Sequence, residues 1–302
     1  MTTVASRLLP LASRPGQLRA GRFSLSLDRP LIMGVVNVTP DSFSDGGRHL
    51  DPEVAIAAGE RMAEEGADIL DVGGESTRPG ATPLELTIEI RRIRPVVEAL
   101  AGDGIPVSID TMKPAVMRRM LTAGIAMIND VRALREVGAI EAVAAGRTAV
   151  CLMHMRGMPA TMQHDTEYVD VVGEVRAFLV GRARACEDAG IARERIVVDP
   201  GFGFGKGTAE NLALLRHLPE LAGLGYPVLA GLSRKATIGA ITGRDGEDRL
   251  AGSVAAALVA VARGASIVRV HDVRETVDAL RVWSAVAREP AAGNAVPPAR
   301  GA

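Results

Sequence analysis

Eight polar side chains or short polar clusters follow directly on aliphatic runs in this chain, and their types point to one kind of ligand. In order they are Asn37, the Glu75–Gly80 stretch with Thr77 and Arg78, Asp110, and Asn129 with Asp130. After these come Met153-His154-Met155, Asp199, Ser233-Arg234-Lys235, and finally Arg269 with His271. Asp110, Asn129 and Asp199 offer acceptors and a single amide donor. An unpaired buried carboxylate is costly, so such groups demand a donor-rich partner. A flat heterocycle with an amidine-like N–H edge meets that demand, and an internal ion pair with Lys235 is the plainer alternative. Arg78, Arg269 and His271 make a second, cationic group suited to phosphate oxygens. Asn37 is a neutral oxygen ligand of the kind that Mg²⁺-diphosphate accepts.

Other stretches need weighing beside these. Gly201-Phe202-Gly203-Phe204-Gly205-Lys206 is not a Walker loop, because its spacing is one residue short and Gly207 replaces Ser/Thr. Its glycines read as points of close backbone approach to a ligand, with Phe204 as a stacking platform. The histidines are scattered and argue against a His-ligated metal. Only three of the 35 Lys+Arg residues are lysines. Lys113, Lys206 and Lys235 each follow an aliphatic run, which marks them for a task that arginine does not serve.

The elements that would position these groups repeat regularly. Aliphatic runs fall at Leu31–Val36, Asp68–Val72, Pro106–Ile109, Ala126–Ile128, Thr148–Met153, Arg195–Val198, Pro227–Ala230 and Ser266–Val270. Helical patterns lie between them at 53–65, 84–101, 114–123, 136–145, 169–190, 208–222, 248–263 and 274–287. Asp51-Pro52 is an N-cap followed by proline at the first helical position. Eight strands alternating with eight helices predict a (β/α)8 TIM barrel, whose chemistry sits at the C-terminal ends of its strands. A doubly wound sheet also alternates, but it has no reason to stop at eight. The alternating Phe23–Leu27 run predicts an N-terminal hairpin ahead of the barrel. Residues 1–15 read as a disordered leader, 16–287 as the barrel and 288–302 as a disordered tail. The long polar segment after Asn37 reads as a functional loop rather than a solvated connection.

The totals set the outer limits. The chain has 302 residues, a formal net charge of -1 and 47% hydrophobic residues, of which few are aromatic. Near-neutral charge gives no electrostatic case for nucleic acid or an anionic membrane. No apolar run reaches the roughly 18 to 20 residues that span a bilayer. Cys151 and Cys186 lack metal-type spacing and read as reduced, buried residues of a cytoplasmic protein.

Taken together, eight motifs resemble those of the dihydropteroate synthase family. They are Asn37–Gly47 (NVTPDSFSDGG), Gly73–Gly80 (GGESTRPG), Ser108–Thr111 (SIDT) and Ile128–Val131 (INDV). The others are Met153–Pro159 (MHMRGMP), Asp199–Lys206 (DPGFGFGK), Gly231–Lys235 (GLSRK) and Arg269–Val273 (RVHDV). The likeness runs from about Gly21 to Ala287, with a small departure at Gln163–Thr166. It implies an enzyme that joins p-aminobenzoate to 6-hydroxymethyl-7,8-dihydropterin diphosphate, with Mg²⁺ as cofactor and a homodimer as the assembly. It implies that Asp110, Asn129, Met153, Asp199, Phe204 and Lys235 surround the pterin. Asn37, Arg78, Arg269 and His271 would face diphosphate, with Asn37 touching the metal. Phe43, Asp45, Thr77, Arg78 and Arg234 would enclose p-aminobenzoate. Asp110, Asp199, Lys235 and Arg269 would carry the chemistry. A pterin-binding methyltransferase domain shares the barrel and the Asp and Asn pattern, but it needs no diphosphate group such as Arg269 and His271.

Overall fold

The computed structural model describes residues 16–39, 51–76 and 83–287. A hairpin of β1 (Gln17–Ala20) and β2 (Phe23–Ser26) comes first, turning at Gly21 and Arg22. Eight parallel strands follow: β3 (Leu31–Asn37), β4 (Ile69–Gly73), β5 (Val107–Asp110), β6 (Met127–Asp130), β7 (Ala149–Met153), β8 (Ile196–Asp199), β9 (Leu229–Ala230) and β10 (Ile267–Val270). Each pairs with its sequence neighbour from β3 to β8, and β10 lies between β3 and β9. A bridge between Val198 and Val228 joins the two remaining edges, so the expected barrel is closed.

Between the strands run α1 (Pro52–Glu64), α2 (Leu86–Gly102), α3 (Pro114–Leu121), α4 (Ala139–Ala144) and α5 (Val171–Asp188). The second half carries α6 (Thr208–Arg216), α7 (Leu218–Ala222), α8 (Ala236–Thr242), α9 (Leu250–Ala262) and α10 (Val273–Ala287). Asp51 caps α1 as expected, accepting from the Glu53 amide at 2.9 Å, with Pro52 at the first position. The segment expected as one helix over 208–222 is two, because Pro219 cannot continue the hydrogen-bond ladder across His217. α8 was not expected. It is seven residues long and ends at Gly243 in the left-handed region, too short to show a helical period.

Strand alternation explains both the core and the site. Leu70, Val72, Val107, Ile109, Ile128, Val150, Leu152, Ile196 and Val198 point outward and pack under the helices. Residues of the opposite parity point into the barrel. Its lower layer is apolar: Met33, Ile69, Met127, Ala149, Cys151, Val197, Leu229 and Ile267. Leu18, Ala20 and Leu27 of the hairpin segment pack on that layer and plug the bottom of the barrel. Burying Leu18 and Leu27 contributes about 1.5 to 3 kcal/mol each. One step further along the same inward rows, the residues become polar.

Candidate active site

The inward parity that places Met33, Ile69, Met127, Val197 and Ile267 in the lower layer continues to Asn37, Asp71, Asp110, Asn129, Met153, Asp199 and Arg269. The strand ends thus converge on one mouth, as the sequence implies. Asp199 is 5% exposed and its Oδ1 accepts from the Gly201 amide at 2.7 Å. Burial raises its pKa, and Lys235 opposes that shift. Lys235 donates to the Phe202 carbonyl, and its ammonium stands 4.6 Å from the centroid of the Phe204 ring. Burial pulls the Lys235 pKa down to about 8 against the attraction of Asp199. Met153 packs with Val131, Met155 and Met162, and Phe204 packs against that cluster. A polarisable apolar wall therefore stands beside the Asp199–Lys235 pair.

The facing wall is built on Arg269. Its Nε donates to Asp71 Oδ2 at 2.7 Å and its Nη2 to Asp110 Oδ2 at 3.1 Å. The same Asp71 oxygen accepts from Asn129 Nδ2 at 2.9 Å. Burial drives the Asp110 pKa up to about 7; Arg269 pulls it down, while Asp71, Asp130 and Glu89 push it further up. Asp71 Oδ1, Asp110 Oδ1 and Asn129 Oδ1 are buried and take no hydrogen bond among the described residues. Asp71 is fully enclosed, whereas Asp110 and Asn129 keep some exposure, and their two orphaned acceptors call for a ligand rich in N–H donors. Asp71 is absent from the sequence-based site. Its signal was a single carboxylate inside an otherwise continuous apolar strand, Ile69–Gly73.

Several expected residues have defined partners. His271 sits after β10 with its Nδ1 3.0 Å from Ser233 Oγ. Arg234, which the resemblance places beside p-aminobenzoate, forks its guanidinium onto Asp272 at 2.5 and 3.2 Å. Asn37 ends β3, half-buried, and its carboxamide takes no side-chain bond among the described residues. Phe43, Asp45, Thr77 and Arg78 lie outside the described residues. Asp130, beside Asn129, points away from the mouth and accepts from the Arg132 and Leu134 amides at 2.8 Å. His154 also points away, with its ring edge-on to Phe178 at 4.9 Å. Burial lowers its pKa to about 3, so it is neutral at pH 7.

The glycine-rich loop corrects one expectation. A Cβ at Gly201 would stand 1.9 Å from the His154 carbonyl oxygen, and Gly201 has φ +69°. Glycine is required there by neighbouring backbone, not by a ligand. A cleft of about 480 Å³ between α10 and the start of β3 lies at the other end of the strands and lacks convergent carboxylates.

The described residues include no group of three or more His, Cys, Asp or Glu that would hold a metal by themselves. Asn37 alone fits Mg²⁺ only as one oxygen among waters and diphosphate oxygens, which is how that ion usually binds.

Comparison with known proteins agrees with this geometry. The family model described as "Pterin binding enzyme" matches residues 33–271. Dihydropteroate synthase of Neisseria meningitidis serogroup B is 54% identical over 275 residues, covering 89% of this chain and 96% of that protein. The Escherichia coli K12 enzyme of the same name is 48% identical over 263 residues, covering 87% and 93%. Xanthomonas albilineans dihydropteroate synthase, solved with 4-aminobenzoic acid, superposes with TM-score 0.86 at 57% identity, covering 91% of this chain and 100% of that one. The Burkholderia cenocepacia enzyme complexed with 7,8-dihydropteroate gives 0.83 at 53%, covering 90% and 96%. With its family model spanning most of the barrel, this chain belongs to the pterin-binding enzyme family.

Proposed function

We propose that this chain is a dihydropteroate synthase, condensing p-aminobenzoate with 6-hydroxymethyl-7,8-dihydropterin diphosphate to give 7,8-dihydropteroate and diphosphate. The observation that carries the reading is the mouth itself: Asp110, Asn129, Asp199, Lys235 and Arg269 converge at the C-terminal strand ends, where Asp110 and Asn129 keep buried acceptors without a partner among the described residues. Relatives of that name at 47% identity and above support it.

In this reading the pterin N–H edge meets Asp199 and Asn129, and Lys235 donates to the ring carbonyl and N5. Phe204 and Met153 cover the ring. The C–O bond between the pterin methylene and diphosphate breaks, and its electron pair leaves with diphosphate. The aryl amine lone pair forms the new C–N bond, and the amine then loses a proton. Positive charge that develops on the conjugated ring lies against Asp110 and Asp199, fixed acceptors in a largely dry site. Preorganised charge of this kind lowers a barrier without reorganisation. No protein nucleophile is required. Asn37 would contact Mg²⁺, whose chemistry is to neutralise diphosphate oxygens. The N–H groups of Arg269 that Asp71 and Asp110 leave uncommitted, with His271 and Arg78, would meet the leaving group. Phe43, Asp45, Thr77, Arg78 and Arg234 would enclose p-aminobenzoate.

A cytoplasmic homodimer is part of the same proposal. The free Cys151 and Cys186 are both buried, which suits a reducing compartment. No helix of the described residues is long and apolar enough to cross a membrane. The test is diphosphate release from purified protein with both substrates and Mg²⁺. Release that depends on p-aminobenzoate supports the synthase, and pterin binding without release would favour a non-catalytic or methyl-transferring relative.

A further inference from the structure

Asp71 is fully buried on the inward face of β4, and its role rests on what an acceptor-only group imposes on its neighbours. Its Oδ2 faces two groups, Asn129 Nδ2 at 2.9 Å and Arg269 Nε at 2.7 Å. A carboxylate bound to a guanidinium donates nothing, so both neighbours must donate. The orientation of a carboxamide is otherwise ambiguous, because its oxygen and nitrogen occupy interchangeable positions. Here the contact decides it. The Asn129 nitrogen turns to Asp71, and Oδ1 is the atom left over, buried and unpaired among the described residues.

The same contact fixes the arginine. With Nε held by Asp71 and Nη2 by Asp110, the guanidinium plane is clamped from two strands, β4 and β5. Nη1 makes no bond among the described residues and stays available. A side chain of this length would otherwise sample several rotamers, and two charge-assisted bonds remove that freedom.

We propose, resting on the function above, that Asp71 is a positioning residue for the reaction: through one oxygen it sets Asn129 as an acceptor toward the pterin and aims Arg269 at the leaving group. It touches neither substrate. Its effect is on the polarity of one ligand contact and the direction of another.

Replacing Asp71 by asparagine tests this at constant shape. Unlike the carboxylate, the new amide can present either its oxygen or its NH₂ to Asn129, so Asn129 is no longer obliged to donate and can turn its own NH₂ to the pterin. D71N should weaken binding of 6-hydroxymethyl-7,8-dihydropterin at least about tenfold. N129D in the same chain moves the carboxylate across the contact, gives the mouth an acceptor again and leaves Arg269 a partner. The double variant should recover at least about fivefold over D71N. A residue that merely props up the barrel would give no such recovery.

A pH readout separates the roles further. Asp110 is faced by Arg269 of β10, Asp71 of β4, Asp130 of β6 and Glu89 of α2. Removing the Asp71 charge removes one influence that holds the Asp110 pKa up. The acid midpoint of pterin binding should therefore lie at lower pH in D71N than in the wild type. A third measurement needs no substitution. The Asn129 side-chain NH₂ resonances should exchange slowly with solvent both before and after the pterin is added.

Pterin affinity of D71N within twofold of wild type, with an unchanged midpoint, overturns the inference. So does fast exchange of the Asn129 amide in the wild type, which decides the matter even if D71N does not fold. A wild type that binds no pterin and releases no diphosphate overturns the proposed function and this inference with it; an active wild type beside an unaffected D71N overturns this inference alone.

Discussion

The ammonium of Lys206 donates to the Gly201 carbonyl at 2.9 Å, and it reaches the Phe204 carbonyl at 2.9 Å and that of His154 at 3.2 Å. It is 2% exposed, and burial lowers its pKa to about 7. One small cation thus ties the loop after β8 to the loop after β7, and this loop carries Phe204 and the amide that Asp199 accepts from.

Lys206→Met should cost about 2 to 4 kcal/mol of stability, because it leaves three carbonyls facing one another without a donor. Pterin affinity should fall with it, since Phe204 and the Gly201 amide lose their anchor. Lys206→Arg should not restore either, because three acceptors converge on a single nitrogen and a planar fork does not fit them. Thermal melting and pterin calorimetry on both variants check this; a stable, tightly binding arginine variant would refute the packing argument.

Asp199→Asn should weaken pterin binding far more than p-aminobenzoate binding. The amide keeps the shape but sets a donor against the pterin N–H edge or against the Gly201 amide. A lost charge-assisted bond with a mispaired donor costs about 2 to 4 kcal/mol. Calorimetric pterin affinity within twofold of wild type would remove Asp199 from the ring contact.

A role for Arg269 at diphosphate alone would let Arg269→Ala spare the pterin. Its ion pairs with Asp71 and Asp110 change that expectation. Alanine strands two buried carboxylates, a loss of about 2 to 4 kcal/mol given that the arginine is 22% exposed. Asp110 then holds its proton more readily, so pterin and diphosphate affinities should both fall. Binding measured separately for the pterin and for its diphosphate decides, and an untouched pterin affinity would mean that the acids find other partners.

The high Asp110 pKa gives a pH prediction. Its folded value is about 7 against an ordinary 3.8, so the folded state favours the neutral acid below pH 7. Donors on the pterin edge favour the carboxylate, so binding strengthens as pH rises through 7 and releases a proton. The ionised fraction grows about tenfold between pH 6 and pH 8, and the apparent pterin affinity should follow it. The sign reverses for stability: this group's contribution is lost as pH rises from about 4 toward 7. Calorimetry in buffers of different ionisation enthalpy measures the proton directly, and equal affinity at pH 6 and 8 would count against Asp110 as a ring contact.

What the sequence exposed and what it hid follow from the same physics. Strands buried on both faces read as continuous aliphatic runs, so all eight were visible, and Asp110, Asn129 and Asp199 were visible because each ends such a run. Asp71 was hidden because it lies inside its run, between Leu70 and Val72, and not at the strand end where the other polar groups stand. Only the inward parity it shares with Ile69, set by the closed barrel, turns it into the mouth. The roles of the lysines were half visible: their rarity marked them, but the carbonyls that surround Lys206 come from two loops and needed coordinates. Ser233 drew notice only as a neighbour of Lys235, and its bond to His271 joins two strand ends 38 residues apart.

Lys113, the remaining lysine, predicts a split between the two substrates. Its ammonium donates to Glu89 at 2.7 Å and to the Leu84 carbonyl at 2.5 Å, and it lies 3.0 Å from Glu75. Glu75 in turn accepts from the Leu84 amide at 2.7 Å, and Thr111 donates to Glu89 at 2.6 Å. Burial disfavours the charge of Lys113, but its bonds to Glu89 and Glu75 outweigh that and raise its pKa. Glu75 and Leu84 are therefore held together at one point, and Thr77 and Arg78 fall between them in sequence. The resemblance places those two residues at p-aminobenzoate, whereas Asn129 and Asp199 stand on other strands. Lys113→Met should thus raise the KM for p-aminobenzoate about tenfold, near 1.4 kcal/mol, and leave pterin affinity within about twofold. Lys113→Arg should not compensate, for the same single-nitrogen geometry as at Lys206. Steady-state kinetics in each substrate, with pterin calorimetry beside them, read the split; equal losses for both substrates would show that the cluster braces the barrel as a whole and does not place the p-aminobenzoate contacts.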